Sequence, residues 1–280
     1  MSEELLLARD IEVAFGGKRR WLGRSSQPVR ALHGVTISVR RSETVGIVGE
    51  SGSGKTTLGR ALLRLVDVAS GSIAFAGQDI TRLSEGRMRP LRRRMQLIFQ
   101  DPMASLNPRH VIRRIIVEPM LFHGVAKNHA DAESKARAIF TRFSLPHMCL
   151  DRYPHELSGG QRQRIGIARV ALLAPDFVLA DEIVSGLDVS TQALALNLLK
   201  DLSRDLGLAM AFISHDLSVI RAICDRVYVL RSGRVVEEGA CADIFAGPKH
   251  EYTRALMDAI PLPRIDPDWL RRTTAADVAA

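Results

Sequence analysis

The chain has 280 residues, 46% hydrophobic and 25% charged, with a net charge of +8. That is enough apolar material for a sizeable core and an ordinary charged surface. No apolar run approaches the roughly 20 residues that span a bilayer, and the acidic opening Met1-Ser2-Glu3-Glu4 is unlike a secretory signal.

Residues 5–15 read as a strand with partial alternation, and residues 16–30, rich in Gly, Ser and basic side chains, as a loop. Alternation resumes from Ala31 to Val39, through Leu32, Val35, Ile37 and Val39, which predicts a second strand. Thr44-Val45-Gly46-Ile47-Val48 reads as a buried strand, and Thr57 to Leu65 as an amphipathic helix. Between them lies Gly49-Glu50-Ser51-Gly52-Ser53-Gly54-Lys55-Thr56-Thr57, the phosphate-loop pattern G-x-x-x-x-G-K-[ST]. Its glycines let backbone N–H groups turn inward as an anion nest, and the helix N-terminus adds partial positive charge. Lys55 is expected to reach the β- and γ-phosphates, and Thr56 to place its hydroxyl on Mg²⁺.

Gly71 to Gly77 reads as a short strand and turn, and Met95 to Phe99 as a buried strand ending in the polar Gln100. Pro102, Asn107 and Pro108 then break the chain, and residues 111–145 read as helices. The whole stretch, about 101–165, looks inserted. Leu157-Ser158-Gly159-Gly160-Gln161 is a second glycine loop, opening a helix from Arg162 to Leu173. Phe177-Val178-Leu179-Ala180 reads as a buried strand tipped by Asp181-Glu182. Residues 190–206 read as a helix with Leu194, Leu198, Leu199 and Leu202 on one side. Ala209 to Ile213 reads as a strand ending in Ser214-His215-Asp216, and 227–230 with 233–238 as a hairpin around Arg231-Ser232-Gly233. Strands alternating with helices imply an α/β fold with a mainly parallel, covered sheet.

Three cysteines, Cys149, Cys224 and Cys241, are scattered, odd in number and without metal-ligand spacing. They read as small buried residues of a reducing compartment. The clusters Lys18-Arg19-Arg20, Arg92-Arg93-Arg94 and Arg113-Arg114 are either solvated basic faces or surfaces for nucleic acid, anionic lipid or nucleotide. No aromatic interleaving or groove-reading motif supports nucleic acid.

Ligands of open α/β sheets sit at the carboxyl ends of the strands. Gln100, Asp181, Glu182 and His215 stand at such ends and should converge near the phosphate loop. Asp181 suits Mg²⁺, and Glu182 suits orienting or deprotonating a water. His215 suits a γ-phosphate contact. The plainer alternatives are a helix cap for Asp181-Glu182 and a structural role for His215. Ser158-Gly159-Gly160 is a second phosphate-binding geometry. One nucleotide needs only one such loop from a chain, so composite sites across a dimer are expected.

These motifs resemble those of ATP-binding cassette (ABC) ATPases. Their order matches: phosphate loop, Gln100 at the Q-loop, the signature Leu157-Ser158-Gly159-Gly160-Gln161, Asp181-Glu182, Ser185-Gly186-Leu187-Asp188 at the D-loop, and His215 at the switch. The likeness covers residues 5–262. It implies a P-loop NTPase fold with an antiparallel β subdomain and an inserted α-helical subdomain, using ATP and Mg²⁺. It implies Glu182, His215 and Gln100 as catalytic residues, and Thr56, Gln100 and Asp181 as metal ligands. It also implies that Ser158, Gly159, Gly160 and Gln161 meet the nucleotide held by an identical or homologous ATPase subunit, and that Asp101 to Arg109 pass motion to membrane subunits.

Phe99-Gln100-Asp101-Pro102 through Arg109, Arg152-Tyr153-Pro154-His155-Glu156-Leu157, and His250-Glu251-Tyr252-Thr253-Arg254-Ala255-Leu256 are similar to the dipeptide/oligopeptide/nickel importer subfamily, as is the basic stretch 16–30. That likeness implies a C-terminal extension over 240–280 and uptake of peptides or a related solute. It implies two membrane permeases, an extracytoplasmic solute-binding protein reached indirectly, no nucleic acid, and a place on the cytoplasmic face of the inner membrane. The cysteine cluster of some members is missing, so no iron–sulfur cluster is expected. Two positions depart from the pattern. Ile183 stands where a Pro usually follows the glutamate, with no catalytic group lost. Phe15, or less well Trp21, stands for the usual adenine-stacking Tyr. The alternative functions are a soluble ABC partner of a phosphonate-metabolism or nucleic-acid complex, or an inert nucleotide-binding scaffold.

Overall fold

The computed structural model describes residues 4–16, 28–99, 101–184 and 189–258. β1 (Glu4–Phe15) and β2 (Val29–Arg40) pair antiparallel. Ala8, Ile11 and Val13 of β1 face the core with Leu32, Val35, Ile37 and Val39 of β2. The period breaks between Ala8 and Ile11, where the register shifts and Asp10 takes φ 49°. This bulge explains the only partial alternation of the sequence there. β3 (Thr44–Val48) is buried along its whole length. α1 (Lys55–Leu62) follows the glycine loop. It begins before Thr57 and stops short of Leu65, because Arg64 turns left-handed at φ 52°. Gly59 brings α1 close to the sheet: a Cβ there would lie 2.7 Å from Leu179 Cδ2.

β4 (Ser70–Phe75) and β5 (Gln78–Asp79) complete a four-stranded sheet of order β2-β1-β4-β5, antiparallel throughout. α2 (Glu85–Arg94) leads into β6 (Met95–Ile98). The expected helical stretch comprises α3 (Pro102–Ser105), α4 (Ile112–Phe122) and α5 (His129–Arg142), then two 3₁₀ turns and α6 (Gly159–Leu172). α6 starts at the second glycine loop itself, ahead of Arg162. The chain continues through β7 (Phe177–Asp181), α7 (Val189–Leu206), β8 (Ala209–Ile213), α8 (Leu217–Ile223), β9 (Arg226–Arg231), β10 (Arg234–Ala240), α9 (Cys241–Ala246) and α10 (Glu251–Asp258).

The second sheet has the order β10-β9-β3-β8-β7-β6, parallel except for the β9–β10 hairpin at one edge. Both its faces are covered, and successive residues of one strand enter different cores. Phe177 and Leu179 of β7 join the cluster made with α1 and the antiparallel sheet, whereas Val178 and Ala180 join the cluster under α4 to α7. Such two-sided burial is what a continuous apolar run implies.

One expected face needs correction. Leu194 is 40% exposed, and Ala195 takes its place beside Leu198, Leu199 and Leu202. At about 100° per residue, Leu194 falls about a quarter-turn from the centre of the stripe that those four define, beyond its edge. The basic clusters are tied internally. Arg92 donates to the carbonyls of Leu63 and Arg64 and pairs with Glu85, Arg93 donates to the Leu173 carbonyl, and Arg94 pairs with Asp176. Arg113 bridges Glu133 and Asp151. Lys18-Arg19-Arg20 lies outside the described residues. The three cysteines are free thiols and buried. Among the described residues no helix is long and apolar enough to cross a membrane.

Candidate nucleotide-binding and hydrolysis site

The phosphate loop leaves β3 at Gly49, whose φ is 147°. A Cβ at this position would lie 2.2 Å from the Leu230 carbonyl oxygen of β9, so only glycine fits. Lys55, at the start of α1, is buried and folds back across the loop. Its ammonium donates to the Gly49 and Glu50 carbonyls, each at 2.7 Å. Burial lowers its pKa, and the carboxylates of Glu182, Asp181 and Glu50 oppose the shift. Ser53 Oγ is buried without a hydrogen-bond partner. The loop is braced from outside by Gly233 N–H on the Ser53 carbonyl, at 2.9 Å, and by the Glu50 N–H on the Tyr252 hydroxyl, at 3.0 Å.

β7 and β8 deliver the remaining groups. Thr56 Oγ1 donates to Asp181 Oδ1 at 3.4 Å. Burial, then the neighbouring Glu182, raises the Asp181 pKa, with Thr56, Arg60 and Lys55 opposing. Glu182 adopts φ 48° and its N–H donates to the Ile213 carbonyl at 2.9 Å, which turns its side chain to the cleft. His215 Nδ1 lies 3.6 Å from Glu182 Oε1, on an exposed ring. Asp216, next to it, caps α8 by accepting the Ser218 N–H. Ile183 is buried, and its carbonyl accepts Gln163 Nε2 of α6 at 2.7 Å.

A cleft of about 530 Å³ has Ser51, Gly52, Gly54, Lys55, Thr56 and Thr57 along one wall. Glu182 and the start of β2 form others. Phe15 is half exposed and is not among the described lining residues, whereas Val29, its register partner, is. Ser158, Gly159, Gly160 and Gln161 stand away from this cleft at the N-terminus of α6. There Ser158 Oγ accepts the Gln161 N–H and Gln161 Oε1 accepts the Ser158 N–H, a reciprocal cap. Gln100, Trp21 and Ser185 to Asp188 lie outside the described residues. Two contributors had escaped the reading of the sequence: Gln163, which sits just past the signature, and Tyr252, which no local pattern connects to a loop 202 positions away.

A glycine loop joining a buried parallel strand to a helix, with an acidic pair at the tip of the next strand but one, defines a phosphate-loop nucleoside triphosphatase fold. Residues 32–185 match the family model described as ABC transporter, and residues 236–279 match the oligopeptide/dipeptide transporter C-terminal region. The chain is 53% identical over 243 residues to a Brucella ovis protein provisionally named as a peptide import ATP-binding protein, covering 87% of this chain and 76% of that one. It is 46% identical over 265 residues to the oligopeptide transport ATP-binding protein AmiF of Streptococcus pneumoniae, covering 94% and 83%. Among solved structures, the ATP-binding cassette MJ0796, a dimer in a post-hydrolysis state bound to ADP and Pi, superposes with a TM-score of 0.75 at 25% identity, over 84% of this chain and 98% of that one. The chain belongs to the ABC transporter family.

Proposed function

We propose that this chain is the ATP-hydrolysing subunit of an ABC importer that takes up peptides or a related solute. One observation carries the reading: Lys55, Thr56 and Glu182 line one cleft, with Asp181 hydrogen-bonded to Thr56 and His215 3.6 Å from Glu182. The relatives named for peptide import, and the C-terminal match over 236–279, support it over a soluble partner of another complex.

Lys55 exchanges its two loop carbonyls for β- and γ-phosphate oxygens of ATP, and the nest of loop amides receives the rest. Thr56 and Asp181 suit a divalent cation, since their hydroxyl and carboxylate meet at 3.4 Å and burial and Glu182 make the ionised Asp181 unfavourable without one. They would hold Mg²⁺, joined by Gln100 as the family likeness implies. When bound, Mg²⁺ neutralises charge on the transferring phosphoryl group. Glu182 orients a water and takes its proton as the water oxygen bonds to the γ-phosphorus. The bond from that phosphorus to the ADP oxygen breaks. His215, 3.6 Å from Glu182, would hold the γ-phosphoryl oxygens, as the family likeness implies. The partner's Ser158, Gly159, Gly160 and Gln161 would close the far side in a dimer of identical or homologous subunits. Two permeases would receive the motion through residues 101–109 at the cytoplasmic face of the inner membrane.

Glu182→Gln should keep ATP binding and lower turnover by about 10²-fold or more, the scale of a lost general base. Phosphate release by the purified assembly checks this. Full turnover in that variant removes Glu182 from the role.

A further inference from the structure

The hydrolysis reaction uses nothing from α10, yet α10 touches the phosphate loop. The Tyr252 hydroxyl accepts the Glu50 N–H at 3.0 Å. The Glu50 carbonyl, at the other end of the same residue, accepts Lys55 Nζ at 2.7 Å and the Ser53 N–H at 3.1 Å. One loop residue is therefore pinned on both sides: by the loop's own lysine within, and by the C-terminal helix without.

The pin is rigid. Tyr252 is 6% exposed, and the Arg231 guanidinium lies 4.8 Å from its ring centroid. The helix under it is anchored to β10, where Glu237 accepts the Lys249 and His250 N–H groups at 2.7 and 3.1 Å. His250 Nδ1 in turn accepts the Tyr252 N–H at 3.0 Å, and Thr253 is wholly buried. His250, Tyr252 and Thr253 thus form one built contact, and its outermost atom is a hydroxyl on the nucleotide loop.

We infer that Tyr252 is a positioning residue of the phosphate loop: its hydroxyl fixes the Glu50 peptide, so that the loop keeps its nucleotide-receiving shape before nucleotide arrives. The inference rests on the nucleotide reading given above. It also gives the C-terminal stretch a mechanical tie to the site. Binding free energies are reciprocal, so nucleotide must steady α10 by the same factor by which α10 favours nucleotide.

The test titrates the full chain with MgADP by calorimetry, comparing wild type, Lys55→Ala and Tyr252→Phe. The phenylalanine keeps the ring and its stacking on Arg231 and removes only the hydroxyl. Tyr252→Phe is expected to weaken MgADP about fivefold, which is ~1 kcal/mol for one neutral hydrogen bond at ~1.4 kcal/mol per decade. KM for ATP should rise while kcat holds. In hydrogen exchange, MgADP should slow the amides of residues 251–258 in wild type and much less in Tyr252→Phe. Equal affinity of Tyr252→Phe and wild type, with Lys55→Ala not binding, overturns the inference and leaves the nucleotide reading standing. If Tyr252→Phe proves less stable, the wild-type exchange decides alone: no slowing of 251–258 by MgADP overturns it. A wild-type chain that binds no nucleotide overturns both.

Discussion

Asp181 carries a cost in its ionised form. Burial and Glu182 raise its pKa above the ordinary 3.8, so its ionised form is less favourable in the fold than in the unfolded chain. The native state then binds more protons than the unfolded one between those two values, and stability falls as pH rises through that window. At neutral pH the cost is fully present. Asp181→Asn should therefore raise the melting temperature of the nucleotide-free chain at neutral pH. The gain should vanish as the pH drops below about 4, where the aspartate is protonated in both states. The same variant should lose metal-dependent turnover. Calorimetric scans across pH check the sign, and a lower melting temperature at neutral pH refutes the argument. At this scale the site was largely legible, because Lys55, Thr56, Asp181, Glu182 and His215 each sit at a fixed offset from a local apolar run. Tyr252 was not, because its partner lies 202 residues away and no periodicity encodes a tertiary contact. Phe15 is legible only through its likeness to the family's first-strand Tyr; its register partner Val29 lines the cleft.

Elements with a clear period were found, and those without one were missed. β3, β7 and β8 are unbroken apolar runs, buried on both faces. α2 buries only Met88 and Leu91 among arginines and contains Pro90, so it offers no stripe to read. It is held by tertiary ties: Arg92 to the end of α1, Arg94 to Asp176. In the helical stretch the anchor is Phe140 of α5, fully buried with Ala132 and Ala136 on the same helix. Phe140→Ala should cost about 3–5 kcal/mol, as large-to-small changes at such sites do. Urea denaturation would register it as a lower midpoint at unchanged slope. A loss under 1 kcal/mol would mean that α5 is not packed as described.

At the level of the whole molecule, one cleft holds the lysine loop, and Ser158 to Gln161 are not among its described lining residues. On the proposed reading a single copy has the parts to bind nucleotide and takes its cap from a partner. Specific turnover should rise with protein concentration until pairing saturates, whereas MgADP affinity should stay flat. Turnover per chain that is independent of dilution would refute the shared site. The expectation of a shared site comes from the second glycine loop in the sequence, since two phosphate-binding loops in one chain exceed what one nucleotide requires.

Gln163 belongs to the helix that opens with Ser158, and its buried amide grips the carbonyl of Ile183, next to Glu182. On the proposed reading, the cap for a neighbour's nucleotide and the carboxylate for the chain's own are tied through one glutamine side chain, and a tilt of α6 would carry the residue beside that carboxylate with it.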